Sequence, residues 1–162
     1  HTVVSNRKER TMPAKKLKDY LDKQHVQYEL IGHMKAFTAQ EIAAAAHIPG
    51  KEIAKTVIVK LDNQMAMVVL PADHQLNFGI LKETTGAKAV ELASEEEFMN
   101  LFPGCEPGAM PPFGNLYDLA VYEDPALAED KEIAFNAGSH TELMRLAHKD
   151  FERLVHPTML RA

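Results

Sequence analysis

A lysine inside an apolar stretch is the first residue of this sequence that could do chemistry. The stretch IAKTVIVKL, residues 53–61, has the β-branched composition typical of a strand. Because side chains alternate between two faces, Lys55 shares a face with Ile53, Val57 and Val59. A lysine in such a row must reach water at an edge, pair with a carboxylate, or face a cavity whose ligand supplies negative charge. The pattern leaves an edge lysine and a ligand-binding lysine both open.

The segment EPGAMPPFGNLY, residues 106–117, is the second candidate, because it combines two glycines and three prolines. Prolines fix the backbone direction, and a glycine lets main chain approach a ligand closely. The segment therefore indicates a rigid wall that presents backbone amides and carbonyls, with a stiff surface connector as the alternative. We favour the wall, because a connector would leave an apolar cluster exposed. That cluster consists of Met110, Pro111, Pro112 and Phe113.

The segment AGSHTE, residues 137–142, is the third candidate. The sequence predicts that Gly138 ends a strand, that Ser139 caps the next helix and that His140 lies in its first turn. Backbone amides at a helix start favour an anionic or carbonyl ligand. A plain strand-to-helix turn is the alternative interpretation.

Familiar catalytic and metal-binding motifs are absent from the sequence. GKEIAKT, residues 50–56, ends like a phosphate-binding loop, but Ala54 replaces the glycine before the lysine. Neither Cys105 nor Ser139 has the sequence context of a nucleophile. The eight histidines show no zinc-binding spacing, so we predict no metal site and no cofactor. We expect surface or loop positions for His25, His47, His74, His148 and His156.

Alternating helices and strands must position these candidates. Apolar spacing predicts a helix over 13–25 and a strand over 26–31. Two strands joined at residues 62–64 read as a hairpin, in which Lys60 faces solvent. Further strands are predicted at KAVEL, LAVYE and KEIAFN, and helix starts at the capping-box pairs Thr38 with Glu41, Ser94 with Glu97 and Ser139 with Glu142. This order favours an α+β fold with a mixed sheet wrapped by short helices.

Size and charge restrict the remaining possibilities. A chain of 162 residues with 46% hydrophobic residues can bury one good core, so we predict a single domain over 12–162. Residues 1–11 precede the first methionine and lack periodicity, so we expect a disordered remnant of upstream or added sequence. A net charge of -5 argues against broad binding of a nucleic-acid duplex, and we expect no DNA partner. No apolar run is long enough for a bilayer, so we expect no membrane partner and a cytoplasmic location.

Five segments in one order resemble the YbaK family of aminoacyl-tRNA editing domains, which is related to the insertion domain of bacterial prolyl-tRNA synthetase. The segments are AFTAQE, AKT, GAKAVELAS, PGCEPGAMPPFG and FNAGSHTE. The resemblance implies a mixed, largely antiparallel, curved sheet or partial barrel surrounded by short helices. It also implies a freestanding hydrolase that removes a wrong amino acid from tRNA by cleaving the ester to the terminal ribose. Its partners would be the tRNA acceptor end and an aminoacyl-tRNA synthetase.

The same resemblance assigns the site residues. The family lysine corresponds to Lys55, and its Gly-x-x-x-Pro element to residues 108–112. Catalytic roles fall on Lys55, Gly108 and His140. The ester is already activated, so a ribose hydroxyl of the substrate would help to position water in place of a protein triad. Substrate-binding positions are Phe37, Thr38, Lys55, Gly108, Ala109, Met110, Pro111, Pro112, Phe113, Gly138, Ser139 and His140.

Other functions fit the same residues. A non-catalytic module that binds an aminoacyl nucleotide or a small metabolite is one, and a hydrolase of another small ester is a second. The edited amino acid also stays open among alanine, cysteine, serine, threonine and other small residues, with tRNA for proline as one candidate tRNA. Small side chains differ by only about 1–3 kcal/mol per methylene in a hydrophobic pocket.

Overall fold

The computed structural model of the protein describes residues 15–33 and 39–161. The predicted site residues Phe37 and Thr38, and with them the Thr38 cap, lie outside the described residues. The helices are α1 (Lys15–Lys23), α2 (Ala39–Ala46), α3 (Phe78–Thr85), α4 (Glu95–Phe98) and α5 (His148–Val155). The strands are β1 (Tyr28–Gly32), β2 (Ile53–Leu61), β3 (Gln64–Pro71), β4 (Val90–Leu92), β5 (Ala120–Glu123), β6 (Glu132–Ser139), β7 (Glu142–Ala147) and β8 (Thr158–Met159).

One curled sheet organises the fold. Its strands follow the order β1-β7-β6-β2-β3-β5-β8, and β4 pairs with β2 beside that path. Within the described residues, four of the seven strand pairings are antiparallel, and the longest of them is the β2–β3 hairpin. The short helices and the half-barrel curl of the sheet confirm the predicted α+β class.

Apolar side chains leave the sheet on both faces, so each face needs a cover. On one face, Leu17 and Leu21 of α1 and Phe151 of α5 pack with β-strand residues into the main core. On the other face, α2 contributes Ile42 and α3 contributes Leu81 to two smaller clusters. No helix in the described parts of the chain is both long and apolar enough to cross a bilayer.

The local predictions for the first helix and the hairpin are confirmed. Helix α1 lies inside the predicted helix, 13–25. Both ends of strand β1 lie within two residues of the ends of the predicted strand, 26–31. Asp62 and Asn63 form the hairpin turn with positive φ angles of 51° and 71°, which these two residue types tolerate.

The Ser94–Glu97 capping box is also confirmed. The Ser94 hydroxyl accepts from the Glu97 amide, and the Glu97 carboxylate accepts from the Ser94 amide. The same carboxylate pairs with Lys60, which also pairs with Glu91 of β4. Lys60 is therefore held against β4 and α4 with a half-buried side chain, while its ammonium pairs with two carboxylates at the surface.

The third predicted capping box was wrong. Ser139 ends β6 and Glu142 begins β7, and the two residues face each other across a β-hairpin turn. His140 therefore lies in that turn and not at a helix start. The segment that follows, residues 142–147, consists of good helix formers. It is nevertheless a strand, because it pairs with β1 on one side and β6 on the other.

Three of the exposed histidines end helices, whereas a fourth histidine is buried. His25, His47 and His156 are exposed and follow α1, α2 and α5 with φ angles of 57°, 57° and 52°. A left-handed residue is the common way to end a helix. His148 was predicted at the surface, but it is only 6% exposed, because it begins α5 against the buried Glu123 of β5.

Candidate active site

A cavity of about 180 Å³ brings together several candidates from distant parts of the sequence. Among the predicted residues, Lys55, Gly108 and Met110 line it. The remaining lining residues come from α2, β2 and β6, and they are Ile42, Ile53, Ala54, Thr56 and Asn136. The cavity therefore lies where one end of β2 meets the glycine- and proline-rich loop.

The cavity opens where two parallel strands separate. Strands β2 and β6 pair only at Ile53 with Ala134 and at Ala54 with Phe135. Directly beyond these pairs, the ladder between β6 and β7 changes register between Asn136 and Ser139. A β-bulge of this kind bends a strand and redirects its side chains. As a result, the next residues of both strands face a cavity and not each other.

Lys55 contributes the positive charge of the cavity. Its side chain is partly buried, and within the described residues its ammonium makes no hydrogen bond or ion pair. Desolvation lowers the pKa of Lys55, although the negative charge of Asp73 opposes this shift. The lysine thus matches the ligand-facing alternative more closely than a fully hydrated edge lysine. A desolvated cation at a cavity wall favours an anionic or strongly polar ligand.

Asn136 contributes a polar group from the opposite strand. Its side-chain oxygen is buried and has no hydrogen-bond partner within the described residues. A buried amide oxygen without a donor costs free energy, which a ligand that carries an N–H or O–H group can recover. The cavity therefore presents one cation and one unused acceptor.

The loop between α4 and β5 approaches the cavity through a glycine. Gly108 has a φ of 83°, a conformation that favours glycine. A Cβ at this position would lie 3.6 Å from Cε1 of His140, so the imidazole packs directly against the Gly108 backbone. The absence of a side chain leaves the main chain of the loop bare at the cavity wall.

Hydrogen bonds join this loop to the turn between β6 and β7. The Glu106 amide donates to Gly138 O at 2.8 Å, and the Gly138 amide donates to Ala109 O at 2.9 Å. Gly138 adopts a φ of 100°, which allows the strand to bulge at this point. The Glu106 carboxylate also accepts from the His140 amide at 2.9 Å.

The side chain of His140 completes this connection. It is 5% exposed, and its Nε2 lies 2.8 Å from the carbonyl oxygen of Pro107. Because a carbonyl can only accept, Nε2 carries the proton and donates it. His140 therefore contacts Pro107, the residue before Gly108, and supports the loop. Among the described residues, Gly108 lines the cavity, whereas Pro107 and His140 do not.

The other predicted loop residues are buried behind the cavity wall. Ala109 is fully buried, and its amide donates to Glu106 O at 3.0 Å. Pro111 and Pro112 are buried. Phe113 is also fully buried, and its ring centroid lies 5.6 Å from those of Phe135 and Phe151 in the main core. The cluster thus anchors the loop to the core.

Cys105 has no feature of a nucleophile. Burial raises the pKa of its thiol, and its sulfur lies 3.9 Å from the Tyr117 hydroxyl. A raised pKa favours the protonated and less reactive form.

One cluster of potential metal ligands occurs among the described residues, and it comprises Glu123, His148 and Glu152. Nε2 of His148 lies 2.5 Å from Glu123 Oε2, whereas Nδ1 lies 3.7 Å from Glu152 Oε2. One ligand atom from each of the three residues lies within 4.8 Å of the other two, so the group could hold a metal ion. None of the three lines the cavity.

Sequence reasoning missed five cavity residues, Ile42, Ile53, Ala54, Thr56 and Asn136. Asn136 carried a usable signal, because asparagine is unfavourable in strands and interrupts the apolar run IAFNA. The apolar members carried no such signal, because they look like any core residue.

Known proteins share parts of this sequence. The chain is 36% identical over 89 residues to the proline–tRNA ligase of Bacillus cytotoxicus. These aligned residues make up 55% of this chain and 16% of the ligase. It is 36% identical over 100 residues to the proline–tRNA ligase of Staphylococcus saprophyticus. The aligned residues make up 62% of this chain and 17% of that ligase. The chain thus spans only a small part of the length of these relatives.

A solved structure has the same fold. The crystal structure of a candidate trans-editing enzyme for prolyl-tRNA synthetase superposes with a TM-score of 0.78 at 21% identity, covering 93% of this chain and 97% of that chain. Finally, a sequence profile of the aminoacyl-tRNA editing domain matches residues 33–154. This match covers most of the chain, including β2, β6 and the loop between α4 and β5. The chain therefore belongs to the aminoacyl-tRNA editing domain family.

Proposed function

We propose that the protein is a trans-editing deacylase, which hydrolyses the ester of a tRNA mischarged with a small amino acid. Family membership supports an editing role, and the small cavity at Lys55 is the observation that carries the proposal. The likeness to a candidate trans-editing enzyme over nearly its whole chain supports action on a separate tRNA.

The reaction adds water to the carbonyl carbon of the aminoacyl ester. The bond between this carbon and the ribose oxygen then breaks, the ribose oxygen takes up a proton, and the amino acid leaves as its carboxylate. Such an ester is already activated, so the protein mainly has to orient the carbonyl and stabilise the developing negative charge.

The cavity residues can divide this work. Lys55 anchors the terminal phosphate by charge, and backbone groups around Gly108 bind the ester. Asn136 accepts a hydrogen bond from the substrate, and the α-amino group of the amino acid is a suitable donor. His140 holds the loop in place through Pro107. Gly138 and Ser139 belong to the turn that supports this loop.

The lining also gives the substrate a role in catalysis. Within the described residues, the cavity contains no carboxylate, thiol or imidazole that could act as a general base. A ribose hydroxyl of the tRNA would therefore position the attacking water. The hydroxyl belongs to the substrate, so the same cavity would act poorly on an ester without a ribose.

Because the described lining offers no carboxylate, thiol or imidazole, a second candidate is a module that binds an aminoacyl nucleotide and leaves it intact. Multiple turnover separates the two, because an enzyme releases many equivalents of amino acid and a binding module at most protects the ester. An additional partner, such as a synthetase, would assist tRNA binding, since a net charge of -5 gives little attraction to phosphates.

Deacylation of a panel of labelled aminoacyl-tRNAs tests the proposal. The panel includes tRNA for proline carrying alanine, cysteine, serine or proline. The wild-type chain should release at least one small amino acid with multiple turnover and leave the prolyl ester intact. Lys55→Ala should reduce this rate by roughly tenfold or more, as expected when a positioning charge is lost.

A matched variant controls for charge and folding. Lys82 is exposed on α3 and does not line the cavity, so Lys82→Ala removes the same charge elsewhere and should leave the rate unchanged. Equal losses in the two variants would contradict a specific role for Lys55. No acceleration over buffer for any aminoacyl-tRNA would refute the deacylase proposal.

A further inference from the structure

We propose that the Met110 side chain sets the upper size limit of the amino acid that this site accepts, because it separates the substrate cavity from a second, apolar cavity. The inference rests on the proposed function, since it concerns the same site. It assigns to Met110 the role of a specificity-determining residue.

The second cavity lies directly behind the loop. Its volume is about 230 Å³, and its lining residues are Phe98, Met99, Phe102, Pro103, Gly104, Cys105, Pro107 and Met110. Among the described residues, Met110 is the single one that lines both cavities. The two spaces are therefore neighbours with one shared side chain.

The backbone at Met110 is fixed on both sides, so its side chain forms the movable part of this wall. The amide of the preceding residue, Ala109, donates to Glu106 O, and its carbonyl oxygen accepts from the Gly138 amide. Pro111 follows Met110. Met110 itself is 4% exposed and packs in the main core cluster. Methionine is flexible and fills irregular gaps, which suits a partition between two spaces.

The chemistry of the two cavities assigns a direction to the substrate. Lys55, Thr56 and Asn136 make part of the first cavity polar, so the ester and the α-amino group belong there. The amino-acid side chain must then contact the apolar lining, which Met110 shares with Ile42 and Ile53. The second cavity is predominantly apolar, so it would suit an extended aliphatic side chain.

The two isoleucines form a different kind of boundary. Ile42 and Ile53 pack in a separate core cluster that includes Ala72 and Leu143, and neither lines the second cavity. Shortening an isoleucine would enlarge the first cavity slightly, without opening it to the second. Shortening Met110 removes Cγ, Sδ and Cε from the shared wall and joins the cavities.

The experiment measures binding and hydrolysis with Met110→Ala. Binding uses adenosine analogues that carry alanine or leucine through a stable 3′-amide, because an amide reports affinity without turnover. Hydrolysis uses tRNA charged with the same two amino acids. We expect the preference of the wild type for alanine over leucine to fall by roughly tenfold or more in Met110→Ala, since one methylene already discriminates about 10–200-fold.

Met99 provides the matched control. It is 53% exposed and lines only the second cavity, so Met99→Ala enlarges that cavity and leaves the partition intact. This variant should keep the wild-type preference. If Met110→Ala does not fold, Met110→Val shortens the same wall by less and should shift the preference in the same direction.

The outcomes separate this inference from the proposed function. A wild type that hydrolyses alanyl-tRNA, together with Met110 variants of unchanged preference, overturns the inference and leaves the deacylase proposal standing. An equal shift in Met99→Ala also overturns it. A wild type that neither hydrolyses any ester nor binds any analogue refutes both.

Discussion

The Glu106 carboxylate accepts a hydrogen bond from the backbone amide of His140 at 2.9 Å. An acidic side chain of the loop between α4 and β5, the cavity loop, thus binds the turn between β6 and β7. The contact joins residues 34 positions apart in sequence. It lies beside the bond from His140 Nε2 to Pro107 O, and together these contacts place Gly108 at the cavity wall.

Glu106→Ala should therefore impair the reaction without removing a group that touches the substrate. A hydrogen bond to a charged group contributes about 1.5–3 kcal/mol, and small displacements in an active site can cost about 100-fold in rate. We expect the variant to lower kcat by roughly tenfold or more and to change KM less. Steady-state kinetics with the best aminoacyl-tRNA of the panel measures this difference.

Glu106→Gln is the control, because its amide oxygen can still accept from His140. It should recover most of the lost kcat. If both variants lose only thermal stability while kcat stays at the wild-type value, Glu106 stabilises the fold and does not position the loop.

The protonation of Lys55 should control ligand affinity at high pH. Desolvation lowers the pKa of Lys55, so its positive charge is lost at a lower pH than that of an ordinary lysine. Affinity for adenosine 5′-monophosphate, the terminal nucleotide with its phosphate, should thus decline as the pH rises through this lowered pKa. Isothermal titration calorimetry over that range measures the decline.

Lys55→Arg and Lys55→Met control this experiment. Arginine stays charged at every pH used, so the decline should vanish in Lys55→Arg. Lys55→Met should bind weakly at all pH values and be at least as stable as the wild type, because it removes a partly desolvated charge. An identical pH profile in the wild type and Lys55→Arg would show that another group titrates.

The Glu97 carboxylate should make stability depend on acidic pH. Its hydrogen bonds with Lys60 and with the Ser94 amide and hydroxyl lower its pKa from 4.5 to about 2. A lowered carboxylate pKa contributes stability that is present above the ordinary value and is lost as the pH falls towards 2. We expect the unfolding free energy of the wild type to exceed that of Glu97→Gln at neutral pH and to converge with it at acidic pH.

Glutamine is the informative replacement, because it keeps an acceptor for the capping box and removes only the charge. Urea unfolding at a series of pH values gives the comparison. Added salt should reduce the difference, since partly exposed charges are screened. A difference that does not depend on pH would mean that the ion pair with Lys60 contributes nothing to stability.

The buried contact between Glu123 and His148 should contribute strongly to stability. Glu123 is fully buried, and burial raises its pKa while His148 opposes that shift. His148→Ala would leave this buried carboxyl group without its hydrogen-bond partner, and a buried polar group that loses its partner costs about 1–3 kcal/mol, or more when it is charged. Chemical denaturation should detect this loss at neutral pH, and a smaller loss at acidic pH, where a protonated Glu123 carries no charge.

The double variant Glu123→Gln/His148→Gln tests the cause. It removes both ionisable groups together and leaves no unpartnered buried carboxylate, so it should be more stable than His148→Ala. If His148→Ala unfolds at the same denaturant concentration as the wild type, the imidazole is not an important partner of Glu123.

The sequence by itself determined those parts of the protein that depend on local chemistry. An alternating apolar run defined β2 and singled out Lys55 within it, and the Asp62–Asn63 turn joined β2 to β3. The density of glycine and proline identified the cavity loop, because these residues restrict the backbone wherever they occur. The order of the motifs was enough to indicate the editing-domain family, which the family match confirms.

Only the tertiary structure decided that a turn and a strand follow Gly138 and that a helix does not. Residues 142–147 have the composition of a helix and follow an apparent capping box, so local propensity predicted the wrong element. Pairing with β1 and β6 on both sides outweighed that propensity, because a central strand satisfies its backbone on two neighbours. His140 consequently supports a loop and does not begin a helix.

The tertiary structure also decided the composition of the cavity. Asn136 and Ile42 reach Lys55 only because β6 bulges and α2 covers that end of the sheet. Phe113 belongs to the core, because its ring packs against Phe135 and Phe151. Residues far apart in sequence meet through strand pairing and packing, and no local pattern encodes those distances.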